Sequence, residues 1–264
     1  MGICVPEGGE SVAGNTFERM EKKVVVPTEI VPTLKARIEE YMEPDAFNKG
    51  GEPYMICNLY FDDDADDVIR TSVTKPWYKE KLRLRAYGVP TDDTKVFLEI
   101  KQKCNKVGTK RRVKFSLREA KQYLETGVHP DGLPYIDEQV LREIDYYRSH
   151  EAVYPKIYVS YLRNAYFGKD DPEFRVTFDS DILTRRYDLD LSKGRYGDQA
   201  LSPGKTLMEV KFAGAVPLWF ARLMSEYGLS FHTFSKVGTN FKLYTYEKAC
   251  ALSPEEEHYL RLIH

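Results

Sequence analysis

The chain has 264 residues, 42% of them apolar, and its 39 Lys and Arg against 41 Asp and Glu leave a formal net charge of −2. That size suits one large all-β domain or two small ones, and the near-neutral balance excludes a globally basic nucleic-acid binder, so a strong anion site would need its cations gathered locally. Four cysteines without CxxC spacing indicate neither a zinc site nor a disulfide framework, and the lack of a long apolar run or a signal-peptide core predicts no direct membrane insertion, a cytoplasmic location, and a membrane-protein partner for any membrane association.

Residues 1–16 read as a flexible leader and 17–264 as a single domain. A first strand is predicted near 19–26, then a helix after Pro32 through Leu34, Ile38 and Tyr41. Tyr54 to Asp62 reads as a strand, and the acidic run Asp62 to Asp67 as a solvated loop and helix start rather than a metal motif. Strands at 81–87 and 95–103 flank the turn-rich Gly88-Val-Pro-Thr-Asp-Asp and form a hairpin, continued by a strand at 110–115. Ser116-Leu-Arg-Glu119 is a capping box opening a helix through Tyr123, and a second amphipathic helix spans about 136–150. Strands follow at 156–164, 174–180 and 206–212. Arg185-Arg186 and residues 191–205 form a turn-rich stretch expected to cover one end of a barrel. A helix after Pro217 carries Phe220, Leu223, Met224 and Tyr227 as a packing stripe, and Ser253-Pro-Glu-Glu256 starts a last capped helix leading to Ile263.

Side chains two apart in a strand share a face. Arg83 and Arg85 therefore project together, as do Glu99 with Lys101, Glu209 with Lys211, Glu21 with Lys23, and Lys110 with Arg112 and Lys114. Arg175 is in phase with Asp179, and Leu82, Leu84, Leu98, Ile100, Met208, Val210 and Phe212 occupy the opposite faces. One such strand reads as part of a sheet with a wet face. Recurrent arginine with a few in-phase glutamates suits phosphate held beside a divalent metal instead. Closing the strands into a barrel would aim these groups at one axis, where a linear polyanion fits. GxxxxGK[ST], GxGxxG before a helix, and GxSxG are all missing, and the five histidines lie in no metal or triad spacing.

The segments Arg19-Met-Glu-Lys-Lys23, Tyr60-Phe-Asp62, Glu80 to Gly88, Leu98-Glu-Ile-Lys101, Lys110-Arg-Arg112, Tyr161-Leu-Arg163, Phe174-Arg175, Met208-Glu-Val-Lys211 and Phe234-Ser-Lys236 occur in this order. Together, over residues 17–245, they resemble the VTC-domain polyphosphate polymerases of the triphosphate tunnel metalloenzyme superfamily. The resemblance implies an α+β, mainly antiparallel fold: a closed tunnel-type β-barrel with flanking helices. It implies Lys23, Arg83, Arg85, Lys101, Arg163 and Arg175 as catalytic phosphate contacts. Arg112, Lys114, Lys211, Tyr161, Ser235 and Lys236 would add to phosphate binding, and Glu209, with Glu21 and Glu99, would hold Mn²⁺ or Mg²⁺.

The expected partners are ATP and polyphosphate or pyrophosphate, and the expected reaction is transfer of the γ-phosphate of ATP to a growing chain. Tunnel hydrolases and cyclases carry an ExExK strand, whereas the in-phase residues here are Arg19, Glu21 and Lys23. Loss of one carboxylate disfavours a two-metal, water-activating site. The alternatives are a tunnel triphosphatase acting on nucleoside triphosphate or inorganic triphosphate, and a polyphosphate- or nucleotide-binding module without turnover.

Overall fold

A computed structural model describes residues 19–74, 76–104, 107–232 and 234–250. The leader and the capped helix expected at 253–263 lie outside the described residues.

One ten-stranded antiparallel sheet dominates. Its strands are β1 (Arg19–Pro27), β2 (Met42–Pro44), β3 (Tyr54–Asp62), β4 (Tyr78–Tyr87), β5 (Lys95–Cys104), β6 (Val107–Ser116), β7 (Tyr154–Gly168), β8 (Arg175–Arg185), β9 (Asp198–Gln199) and β10 (Lys205–Ala213). The main path runs β1-β10-β8-β7-β3-β4-β5-β6, with β2 on β7 and β9 on β8. The helices are α1 (Val31–Ile38), α2 (Asp67–Val73), α3 (Leu117–Thr126), α4 (Tyr135–His150), α5 (Leu218–Glu226) and α6 (Lys236–Cys250).

The apolar phase of the strands is covered by helices. Leu82, Leu84, Leu98, Ile100, Val113 and Phe115 pack with Leu117, Ala120 and Tyr123 of α3 and with Val140, Leu141, Ile144 and Tyr147 of α4. At the other end of the sheet, Val24, Val26, Val176, Met208, Val210 and Phe212 pack with Leu34 and Ile38 of α1 and with Phe220, Leu223 and Met224 of α5. With that face consumed by the core, the charged phase is left on the other side.

The strand ladder is open. β1 and β6 end the path and do not pair with each other among the described residues, so a closed barrel is not shown. The sheet nonetheless curls. Lys101 on β5 and Lys211 on β10 lie five strands apart, about 24 Å if the sheet were flat, which is beyond the range of screened charge. Yet Lys211, whose pKa is lowered mainly by burial and further by Arg163, also feels the charge of Lys101, so the two halves of the charged face lie within electrostatic reach of each other. The outer edge of β1 is engaged by residue 232, whose amide donates to Lys23 O at 2.7 Å, which occupies one of the free edge groups.

Three local expectations are corrected. β8 runs on to Arg185, which is buried rather than part of a turn. Its guanidinium lies over the rings of Tyr158 and Tyr196 and donates to the carbonyls of Asp188, Gly194 and Tyr196. The acidic run is only partly solvated. Asp62 accepts from the amides of Val68 and Ile69 at the start of α2, and buried Asp66 holds Arg186 at 2.8 and 3.0 Å. Finally, α6 was not anticipated. Val237, with Phe234 and Phe241, packs against Ile69 of α2 and against Ile157, Val159 and Leu207 of the sheet, while Ala200 and Leu201 contribute from the 191–205 stretch. Asn240 fixes the helix by donating to Thr184 Oγ1 and accepting from Arg186.

The Ser116–Glu119 capping box is present in both directions. Ser116→Ala is expected to cost about 1 kcal/mol, read as a lower urea midpoint at unchanged slope.

Candidate functional site

Register places the first group of charges. On β10, Glu209 lies opposite Lys23 of β1 and Thr177 of β8, and Arg163 of β7 lies opposite Asp179 of β8. Asp179 is fully buried and accepts from Arg163 Nε at 2.6 Å and Nη2 at 2.7 Å. Arg163 Nη2 also donates to Glu209 Oε2 at 3.2 Å. Lys236, from the first turn of α6, reaches both carboxylates, with Nζ 2.8 Å from Glu209 and 2.6 Å from Asp179. Ser235 sits just before it and accepts from the Gly238 amide, so its hydroxyl works as a helix cap.

Charging these buried groups is opposed by desolvation and restored by their partners. Burial works against ionised Glu209, but Lys236, Arg163 and Lys23 hold its pKa well below the usual carboxylate range. Burial likewise disfavours charged Lys236, and Asp179 and Glu209 raise its pKa nonetheless. Glu21 is brought down to about 2, because Lys23 and Lys211 outweigh burial and the repulsion of Glu209.

A second group lies on β4, β5 and β6, where register makes three successive rows: Lys81, Lys101 and Lys110; Arg83, Glu99 and Arg112; Arg85, Phe97 and Lys114. Buried Glu99 accepts from Arg83 Nε at 2.5 Å, while its other oxygen is buried without a hydrogen bond and stands 3.7 Å from Lys110 Nζ. Arg83 also donates to Tyr60 at 3.1 Å, and Arg85 donates to Asn58 at 2.9 Å and to the Tyr161 hydroxyl at 3.4 Å. Tyr161 joins the two groups, since Arg163 and Lys236 lie over its ring at 5.1 and 4.6 Å.

The remaining candidates sit farther out. Lys101, Arg112 and Lys114 are exposed, and Arg112 stacks on Phe97. Arg175, opposite Lys211, lies at the rim over Phe167 with Glu173 and the Pro172 carbonyl as partners.

Sequence reasoning assigned no role to four contributors: Asp179, Lys81, Tyr60 and Asn58. Lys81 and Asp179 could have been found from strand phase alone, since each is in phase with arginines already singled out. Burial, with Lys79 and Lys101, brings Lys81 down to about 8 against the pull of Tyr60. Burial, with Arg163 and Lys101, brings Lys211 to the same value against Glu21 and Glu209. Tyr60 is itself lowered to about 8, because Arg83 and Arg85 outweigh its burial.

Among the described residues, no group of three or more His, Cys, Asp and Glu is placed to hold a metal. Glu21, Glu99 and Glu209 therefore do not converge as one carboxylate set. Glu99 belongs with Arg83, whereas Glu21 and Glu209 are diagonal neighbours on β1 and β10 whose like charges repel. Lys23 stands between them, its Nζ 3.0 Å from Glu21 and 3.7 Å from Glu209, and answers that repulsion. Two carboxylates completed by substrate phosphates form the donor set that Mg²⁺ and similar hard ions accept, so an ion held by this pair would take the place that Lys23 Nζ fills between them.

The family model described as "VTC domain" matches residues 18–244. The chain belongs to the VTC domain family. Among solved structures, this VTC domain is similar to a candidate adenylate cyclase of Bacillus halodurans, at 16% identity and a TM-score of 0.48 over 82% of this chain and 93% of that one. It is also similar to a candidate adenylyl cyclase of Hippeastrum with a dominant triphosphatase activity, at 16% identity and a TM-score of 0.43 over 89% of this chain and 98% of that one. No curated protein matches the chain. No described helix is long and apolar enough to cross a membrane.

The two lowered lysines give the charged face of this VTC domain an expected pH dependence of anion binding with a defined direction. Both are charged below about pH 8 and neutral above it. In the unfolded chain they titrate near 10.5, so between pH 8 and 10.5 the unfolded state holds the extra protons and the ligand-free fold gains stability as pH rises. Phosphate affinity changes the opposite way. Thermal stabilisation by ATP is expected to shrink between pH 7.5 and 9, and a stabilisation constant over that range would contradict the assignment of these lysines to the anion face.

Proposed function

We propose that the chain is a metal-dependent polyphosphate polymerase that transfers the γ-phosphate of ATP to a growing polyphosphate chain along the charged face. The observation carrying this reading is the arrangement of cations. Rows from Lys81–Lys101–Lys110 through Arg83 and Arg85 continue, by way of Tyr161, to Lys236, Arg163 and Lys23. Such a track matches a linear polyanion better than a single compact phosphate.

In the proposed step, a terminal phosphate oxygen of the bound chain forms a bond to the γ-phosphorus of ATP. The bond from that phosphorus to the β,γ-bridging oxygen breaks, and ADP leaves with the electron pair. The attacking phosphate is already ionised, so the step needs no general base. The transition state is loose, and catalysis consists of alignment and of neutralising peripheral and leaving oxygens. Arg83, Arg85 and Lys236 are preorganised for this by Glu99, Asn58 and the Asp179–Glu209 pair. Glu209 and Glu21 would hold Mn²⁺ or Mg²⁺, which supplies charge neutralisation on the phosphates.

Incubation with ATP and Mn²⁺, with chains resolved on a gel and ADP and free phosphate assayed in parallel, tests the reading. Long chains appearing with ADP support it, whereas free phosphate without chains would make the protein a triphosphatase. Arg83→Ala is expected to lower kcat by roughly 10² to 10³. Arg163→Ala should reduce activity and also destabilise the fold by about 3–5 kcal/mol, because it leaves buried Asp179 without its main partner. Equilibrium denaturation of that variant measures the second effect.

A further inference from the structure

The strand phase that carries Arg83 and Arg85 next reaches Tyr87, and on β5 it reaches Phe97, the register partner of Arg85. β3 adds Tyr54, opposite Arg163. At this end of the charged face the rings form a cluster: Tyr54 and Tyr87 have centroids 6.1 Å apart, and Phe97 meets Tyr87 edge-on at 5.9 Å. Phe47 completes it from the loop after β2, with its ring parallel to Tyr87 within 9° at 6.0 Å.

Two observations distinguish this cluster from ordinary core. Phe47 is 65% exposed and Tyr87 41% exposed, so aromatic faces are presented to solvent. The loop that presents Phe47 is tied down: Asp45 accepts from the Phe47 amide at 2.9 Å, the Asp45 amide donates to Ala165 O on β7, and Asn48 is buried beneath. A ring left largely in water by a pinned loop gains little from burial, yet it is preorganised for a flat ligand.

Charge complements the rings. Arg85 is two residues from Tyr87 and Arg83 four, about 7 and 13 Å along the strand, while the Arg112 guanidinium lies 4.7 Å from the Phe97 ring. A ligand with a flat aromatic group joined to a short polyanion fits this step from π-faces to guanidiniums.

We propose that Phe47 and Tyr87 form a stacking platform for the base of a nucleoside triphosphate, which directs its phosphates inward to Arg85 and Arg83. This rests on the phosphate-transfer reading of the same face and adds to it the residues that seat the donor's base and so favour a nucleotide over inorganic triphosphate. Stacking uses the π-face that every base has, so adenine and guanine should be accepted similarly.

The test compares ATP, GTP and inorganic tripolyphosphate binding by calorimetry in the full chain and in Phe47→Ala, Tyr87→Ala and Tyr87→Phe. Removing either ring is expected to weaken ATP and GTP binding roughly tenfold and to leave tripolyphosphate affinity unchanged. Tyr87→Phe should keep nucleotide affinity near that of the unaltered protein, which separates loss of the ring from loss of folding. Equal weakening of ATP and tripolyphosphate, or no weakening of ATP, would overturn the platform while leaving the phosphate-transfer reading intact. Failure of the unaltered protein to bind any of the three would overturn both.

Discussion

Asp179 and Glu209 are buried carboxylates, and the cations that neutralise them come from distant parts of the chain: Arg163 from β7, Lys23 from β1 and Lys236 from α6. An isolated ion in such a place costs several kcal/mol in lost hydration. The cluster is tolerable only because each charge meets its partners at hydrogen-bonding or near-contact distance. This constraint links the edge strand, the middle of the sheet and the last described helix, because both carboxylates have their full set of partners only when all three are docked.

The sheet can supply this cluster because its side-chain alternation stays in phase across the eight strands of the main path except at the register shifts near Tyr60/Phe61 and Ser160/Leu162. One phase is consumed by the helices, with α3 and α4 over one half and α1 and α5 over the other. The other phase is then free to carry charge, and curling brings Lys101 and Lys211 within electrostatic reach. Burial, with the neighbouring cations, leaves Lys81 and Lys211 poorly stabilised as ions, as their lowered pKa values register. A face in that condition suits the proposed phosphate ligand, since a polyanion supplies the negative charge that the protein withholds.

α6 has a double role. Its apolar residues close one end of the concave face with help from α2 and the 191–205 stretch, and its first turn delivers Lys236 into the carboxylate pair. The helix is located by a polar contact, Asn240 to Thr184 and Arg186, more than by a broad apolar stripe. That explains why periodicity alone did not reveal it. Arg186 in turn holds Asp66, so the acidic run that looked like solvated loop belongs to the support of the site.

The sequence by itself determined the eight strands of the main path, their alternation and the capping box at Ser116, but not the short strands β2 and β9. It also determined the grouping of Arg83 with Arg85, Glu99 with Lys101, and Glu209 with Lys211, because all of these depend on period two or on contacts within one turn of helix. Strand phase also held Asp179 and Lys81 in view without assigning them a role. What only the tertiary structure decided is which charges meet: Arg163 with Asp179 across β7 and β8, Arg83 with Glu99 across the hairpin, Lys236 with both buried carboxylates, and Phe47 beside Tyr87. It also decided that Glu99 stands with Arg83 rather than with Glu21 and Glu209, and that β1 and β6 are left unpaired in the described ladder. Such pairings are set by cross-strand register and by helix docking, which join residues tens to hundreds of positions apart, and the local periodicity of a chain carries no record of them.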